Sequence, residues 1–370
     1  MSFFRLFILL LALSFSGTPA LAHMDHHRYK NRDHNSPCSV LAWIPYWDQN
    51  RGFNSYLENK EKINYIAFFW YTLDKNGDFK QYTLAKTDRK LIRKAQENGT
   101  KVLAIVTNLP DDKAEGEDVD DWDYKRLEPI LFSEEKRKSH INTLVSLAKD
   151  VGFDGINIDY EALPEGYREG FTLFIKELAE ALHKENKILA VAIHPKTSEH
   201  NPMENNGSWG QDWKALAKYA DQLHFMTYGE HYPDSPPGPI ASPKWVNAVL
   251  KYADAQNIPD GKIFVGIPFY GEIWLHKKMY RYHGIDVDLT FSDIQKLKRK
   301  YNGKEGWDEK HLSPYLLFKD DKQKKYSVWF ENEKSIEAKI NLSNNLGLCN
   351  FAIWRIGGES PDFWSLFSVE

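Results

Sequence analysis

The chain has 370 residues, a formal net charge of −4, and an aromatic complement that includes 12 Trp and 19 Tyr. The length suits one large domain, or a large domain carrying an insertion. The near-balanced charge excludes a general nucleic-acid binder, which carries a basic excess. The rings exceed what packing alone usually needs; large α/β cores use such rings, and so do grooves in which a flat face stacks on a ligand.

Residues 1–22 read as a signal peptide: Arg5 supplies a positive start, Leu6 to Leu13 an apolar run, and Ala20-Leu21-Ala22 a small-x-small cleavage site. The run is too short to span a bilayer comfortably, and no later stretch reaches spanning length. A secreted, extracellular or periplasmic protein is expected. Residues 23–37 read as a disordered linker. Its His23, His26, His27 and His34 leave metal binding as a second reading, but no Cys or ordered carboxylate spacing accompanies them to define a site.

From Val40 onward, short β-rich runs alternate with helical patterns. Eight strands are predicted at Val40–Tyr46, Asn64–Tyr71, Lys101–Asn108, Gly155–Tyr160, Ile188–His194, Gln222–Tyr228, Lys262–Pro268 and Cys349–Arg355. Helices are predicted over Thr87–Asn98, Ser133–Val151, Tyr167–Glu185, Trp213–Ala220, Pro243–Gln256 and Lys334–Leu346. Eight such alternations point to an α/β fold of the (β/α)8 TIM-barrel class. The alternative, an open doubly wound sheet, wants a Gly-rich phosphate loop after its first strand. Trp47-Asp48-Gln49-Asn50 stands there instead. Residues 271–333 are too many for a βα connection. They contain a helical run, Phe291–Lys300, and a hairpin pair, Tyr315–Phe318 with Lys325–Phe330, and read as a small α+β insertion after strand seven that walls one side of a groove. The catalytic barrel is assigned to residues 38–370.

In a closed barrel, strands one and eight are neighbours. Cys38 precedes the one and Cys349 opens the other, so a Cys38–Cys349 disulfide is expected at the N-terminal rim. Closing so long a loop contributes about 4–5 kcal/mol in the chain-entropy model.

The chemistry gathers on Asp154-Gly155-Ile156-Asn157-Ile158-Asp159-Tyr160-Glu161. Ile156, Ile158 and Tyr160 share one parity, and Asn157, Asp159 and Glu161 the other. A strand therefore aims the polar three at one face. In a barrel whose strands are covered on both sides, that face is the closed interior. Carboxylates there are costly unless they have work or a partner. Active sites of such barrels lie where strands end. Glu161 stands there, with Asp159 and Asn157 in the layers beneath. Burial and a neighbouring anion both raise a carboxyl pKa, which fits Glu161 for giving a proton to a leaving group. No second acid cluster or spaced His pair accompanies it, so neither a metal nor a cofactor is expected. Tyr46, Trp47, Trp70, Tyr270 and Trp274 sit at or just after strand ends, as groove or as packing. Asn108 and His194 end strands three and five and face the mouth. His194 reads first as a hydrogen-bonded wall residue and second as a group that tunes the site.

The strand-four segment resembles the signature of glycoside hydrolase family 18, the chitinases and related N-acetylglucosaminidases, with acids at alternate positions ending in Glu. Met226-Thr227-Tyr228, Gly266-Ile267-Pro268-Phe269-Tyr270-Gly271 and Trp354 resemble the family's motifs on strands six, seven and eight. Val106-Thr107-Asn108, Val328-Trp329-Phe330-Glu331 and Ile353-Trp354-Arg355-Ile356-Gly357-Gly358 look closest to the branch of spore-cortex and cell-wall N-acetylglucosaminidases.

The resemblance implies hydrolysis of β-1,4-linked N-acetylglucosamine glycans, chitin or peptidoglycan, in which the substrate's own acetamido group attacks. Glu161 is then the acid, Asp159 the partner of the acetamido N–H, and Tyr228 the holder of its carbonyl. Trp354 is then the floor under the sugar, and Tyr46, Trp70, Tyr270, Met226 and Asn108 are the remaining substrate-binding candidates. Asn157 replaces a frequent Asp; by donating a hydrogen bond to Asp159 it would favour that group's charged form. Gly229 stands where the family usually has Asp or Asn, and Glu230 or Asp234 could substitute. A monomer is expected, with a glycan as its partner and no nucleic acid or membrane span. The alternative from another class is a chitinase-like lectin, but such relatives lose the terminal Glu that this chain keeps. An enzyme cutting glycoprotein sugar chains would use the same chemistry.

Overall fold

The computed structural model describes residues 38–115, 122–199, 207–233, 235–275 and 289–367. The predicted signal peptide, the His-rich linker and Asp234 lie outside them. Eight strands form the centre: β1 (Val40–Pro45), β2 (Tyr65–Leu73), β3 (Lys101–Thr107), β4 (Gly155–Asp159), β5 (Ile188–Ile193), β6 (Gln222–Phe225), β7 (Ile263–Pro268) and β8 (Phe351–Trp354). Each pairs in parallel with the next, and β1 also pairs with β8, Val40 opposite Phe351 and Leu41 opposite Tyr65. The sheet is therefore a closed (β/α)8 barrel. Nearly every strand residue is buried, because closure covers one face and helices the other.

The helices carry the start signals their sequences promise. Asp88, Ser133, Asp212 and Ser242 each accept a bond from a backbone N–H in the first turn of the helix that follows. Helix Arg168–Lys184 buries Phe171, Phe174, Ile175, Leu178 and Leu182 along one stripe. Burial of each such side chain is worth roughly 1.5–3 kcal/mol. Helix Gln49–Asn59, which the sequence pattern does not announce, follows β1 after a 3-10 turn at Tyr46–Asp48. Its Gly and three Asn lower helix propensity, and packing of Phe53 and Tyr56 supplies the stabilisation instead.

Beyond β7 the expected hairpin is part of a larger antiparallel sheet. Strands Lys304–Asp308, Ser313–Lys319, Lys325–Phe330 and Gly271–Leu275 lie side by side in that order. Helix Phe291–Lys300 packs Ile294 and Leu297 against Leu316, Val328 and Phe330. Two strands of this sheet were not foreseen, nor was the short strand Phe79–Gln81 that pairs antiparallel with β2. Gly271–Leu275 begins only two residues after β7 and reads as a loop, while Lys304–Asp308 is a polar edge strand with little apolar pattern.

Cys38 and Cys349 are disulfide-bonded, with Cα atoms 5.2 Å apart across 311 residues of chain. Beside the bond, Phe351 N donates to Ser39 O and Ser39 N to Asn350 Oδ1, both at 2.9 Å. Thiol titration of the unfolded, unreduced protein is expected to find no reactive thiol among these two residues, and two after reduction; two before reduction would rule the bond out.

Two histidines are buried inside this scaffold. His224 points into the barrel, its Nε2 2.9 Å from Gln222 Oε1 and its ring 5.5 Å from that of Trp43. His140 lies between helix Glu134–Leu147 and β4, its Nε2 2.7 Å from the Tyr160 hydroxyl. Burial lowers the pKa of each to about 3. Unfolding exposes them to water, where they charge near pH 6.5. Their contribution is complete above that pH and is lost as pH falls towards 3. At pH 5 the loss is about 2 kcal/mol for each. Urea unfolding of His224→Gln, which keeps an amide donor, is expected to show an acid loss between pH 7.5 and 5 smaller than the wild type's by about 2 kcal/mol.

Candidate active site

The strand β4 alternation is realised side chain by side chain. Tyr160 points outward, its ring 5.8 Å from Phe174 in the helix layer. Asn157 points inward and its Oδ1 accepts the indole N–H of Trp43 at 2.9 Å. Upstream, Asp154 Oδ2 accepts from Val102 N and Gln96 Nε2, at 2.8 and 2.9 Å. A Cβ on Gly155 would fall 2.3 Å from the Ile188 carbonyl oxygen. The Asp-Gly pair therefore sets the strand's position, and the polar residues after it carry the chemistry.

Asp159, Glu161, Tyr228, Met226 and Trp354 line one cavity of about 480 Å³. The Asp159 and Glu161 side chains are neighbours, and Asp159 Oδ1 is buried with no hydrogen-bond partner. Burial first, then the adjacent Glu161 carboxyl, hold the Asp159 carboxyl well above the usual carboxylate range. The expectation that Asn157 would favour its charged form is overturned. Asn157 spends its oxygen on Trp43 and turns its amide to the Ile158 carbonyl, at 3.4 Å. Nothing from Asn157 offsets the desolvation.

The predicted binding residues divide. Trp354 lies in the cavity against Phe69, Trp43 and Trp47, at ring distances of 5.9, 6.1 and 6.3 Å. Arg355, its neighbour, is buried and reaches Asp48 Oδ2 at 2.5 Å, which ties the β1 loop bearing Trp47 to the end of β8. Trp70 is not in the cavity. It points to the helix side, stacked on Phe68 at 4.1 Å, with its indole N–H on Gln49 Oε1. Phe69 has the inward parity and lines the cavity in its stead.

Tyr46 stacks on Tyr82 at 4.9 Å and lines a smaller adjoining pocket with Trp47, Asp48 and Lys86. Tyr270 is buried behind Tyr228, edge-on at 6.1 Å, and packs with Ile240 and Trp274. Trp274 is itself fully buried. Asn108 is fully buried and is not a cavity residue. Its Oδ1 accepts the Glu161 N–H at 2.8 Å and its amide donates to the Glu161 carbonyl at 3.0 Å. It grips the backbone of Glu161 from both sides.

Gly229, at φ +74°, forms part of the cavity wall, with open space where a side chain would stand. Glu230 does not substitute: its two oxygens accept the backbone N–H and hydroxyl of Ser242, at the start of helix Pro243–Ala255. Sequence reasoning missed Trp43 and Trp122, which also line the cavity. Trp43 was legible as an inward residue of β1, two positions before its end. Trp122 sits in an acidic loop with no pattern to point to it.

Residues 40–359 match the family model for glycosyl hydrolases family 18. The chain belongs to this family. It is a glycosidase by that membership. It is 27% identical over 312 residues to the uncharacterized glycosylase YvbX of Bacillus subtilis (strain 168), covering 84% of this chain and 86% of the relative. It is also 27% identical over 310 residues to the cortical fragment-lytic enzyme of the same organism, covering 83% and 67%. The crystal structure of a chitinase from Chromobacterium violaceum ATCC 12472 superposes with a TM-score of 0.76 at 26% identity, over 90% of this chain and 98% of that one. Among the described residues, no helix of this family 18 chain is long and apolar enough to cross a membrane.

The raised Asp159 carboxyl has a stability consequence. Unfolded, Asp159 ionises near pH 3.9; folded, it keeps its proton to higher pH. Its favourable linkage is therefore complete at low pH and lost as pH rises from about 4 through the folded value. Asp159→Asn removes the titration. Its melting temperature is expected to exceed the wild type's at pH 7.5 and to show no such gain at pH 4. A gain of equal size at both pH values would contradict this.

Proposed function

We propose that the chain hydrolyses β-1,4-linked N-acetylglucosamine glycans by substrate-assisted catalysis with retention. The observation that carries the reading is the neighbouring Asp159–Glu161 pair, set in one cavity with Tyr228 and Trp354. Relatives named as a cortical fragment-lytic enzyme and a di-N-acetylchitobiase support a substrate of this class.

Glu161 gives its proton to the glycosidic oxygen as the bond from that oxygen to the anomeric carbon breaks. The carbonyl oxygen of the sugar's 2-acetamido group bonds to the anomeric carbon from the opposite side, so no protein nucleophile is needed. The unpartnered Asp159 Oδ1 accepts the acetamido N–H, which answers the question that a buried, unpaired acceptor poses. Tyr228 orients the acetamido group, and orientation of reacting atoms is a large share of such rate gains. Trp354 stacks beneath the ring. A water then returns a proton to Glu161 while its hydroxyl bonds to the anomeric carbon, opening the ring intermediate. The commoner glycosidase scheme, in which one protein carboxyl is the acid and a second is the nucleophile, does not apply, since here the nucleophile belongs to the sugar.

Residues 1–22 direct export and leave a catalytic unit of residues 38–370. The sheet and helix within residues 271–333 form a wall of its groove. Digestion of chito-oligosaccharides and of purified peptidoglycan, with products identified by mass, tests the reading. Wild type is expected to cut one or both and to leave cello-oligosaccharides intact, because they lack the attacking amide. Glu161→Gln keeps shape but has no proton to transfer, and is expected to lose at least about 100-fold in kcat. An unimpaired variant would overturn the assignment of the acid.

A further inference from the structure

His194 directly follows β5 and lines the same cavity as Glu161, with its Nε2 2.9 Å from Glu161 Oε2. The approach lies off the line of a hydrogen bond, and this buried ring nitrogen has no other partner. Its placement is built, not incidental. Gln211 is fully buried; its Oε1 accepts the His194 backbone N–H at 2.8 Å and its amide donates to the Ala192 carbonyl at 3.1 Å. Asn108 grips the backbone of Glu161 in the same two-ended way. Two buried carboxamides, each using both its donor and its acceptor, thus fix the backbones of the two residues whose side chains meet. Behind the Gln211 side chain, its backbone carbonyl oxygen accepts from the buried Lys196 Nζ at 2.9 Å, which anchors the loop that leaves β5.

Asp159 contacts Glu161 from beneath and His194 stands at Oε2. The acid is therefore flanked on two sides. When Glu161 has given up its proton, the Asp159 carboxyl beneath can satisfy only the oxygen it contacts, and Oε2 beside His194 needs a donor of its own. The imidazole is the group in reach, and a small rotation brings its N–H onto Oε2.

We propose that His194 is a positioning residue for Glu161: it donates a hydrogen bond to the Glu161 carboxylate during the interval in which Glu161 is deprotonated, and Gln211 sets where it stands. The inference rests on the reading of Glu161 as the acid. No proton is transferred to or from the imidazole. The proton that Glu161 loses goes to the glycosidic oxygen, and the one it regains comes from water. His194 acts on the step and not on the grip on the sugar, so its removal lowers kcat and spares KM.

The experiment compares His194→Leu and His194→Gln with wild type and Glu161→Gln on chito-oligosaccharides, with melting temperatures for each. His194→Leu is expected to lose about 10- to 100-fold in kcat, with KM within about twofold. His194→Gln, which restores an N–H, is expected to recover part of that loss. An inactive Glu161→Gln beside a fully active His194→Leu would overturn this inference and leave the acid in place. An active Glu161→Gln would overturn both. A rise in KM that matches the whole loss, no recovery in His194→Gln, or failure of both His194 variants to fold would make His194 a contact or packing residue and overturn the proposal.

Discussion

Two carboxyl groups buried side by side cannot both be charged without a large cost, and the site is organised around that constraint. Asp159 ends β4 and Glu161 follows two residues later in the same alternation, so both line the cavity at the mouth of a closed cylinder. Burial first, and the neighbouring Glu161 carboxyl second, push the Asp159 carboxyl well above the usual carboxylate range. Asn157, the third polar residue of the row, is neutral and bound to Trp43, so the row carries no third charge.

The surroundings keep that pair in register. Asn108 fixes the backbone of residue 161, and Tyr160 between the two acids is pinned outward by His140 and Phe174. The Arg355–Asp48 pair joins the loops after β8 and β1, and so places Trp354 and Trp47 on the same side of the mouth. Tyr228 is backed by Tyr270 and Trp274. Rigid supports of this kind matter because small displacements of a reacting group carry large rate penalties. Residues that touch nothing in the cavity thus decide what the cavity does.

The barrel was legible because its signal is repeated. Eight apolar runs separated by capped helical patterns leave few topologies open, and strand boundaries fell within a few residues of those expected. The acid pair was legible because polar residues at every second position of a covered strand contradict the burial rule. Rings were harder. Trp70 and Phe69 are adjacent, and which of them faces inward depends on register near a break in the β2–β3 pairing that composition does not reveal. Asn108 stood at the end of its strand as expected, but a carboxamide can bind a ligand or a backbone, and only the partner's position decides. The Asn157 expectation failed because Trp43, 114 residues away in sequence, competes for it.

The cross-link between Cys38 and Cys349 lies where the first and last strands meet, so it encircles almost the whole described chain. A protease that nicks any exposed loop between those two positions cuts the polypeptide in two without releasing either half. Both pieces remain one covalent body, and the hydrogen-bonded seam between β1 and β8 stays tied at the rim opposite the carboxylates. A single cleavage therefore goes unseen on a gel until the sample is reduced.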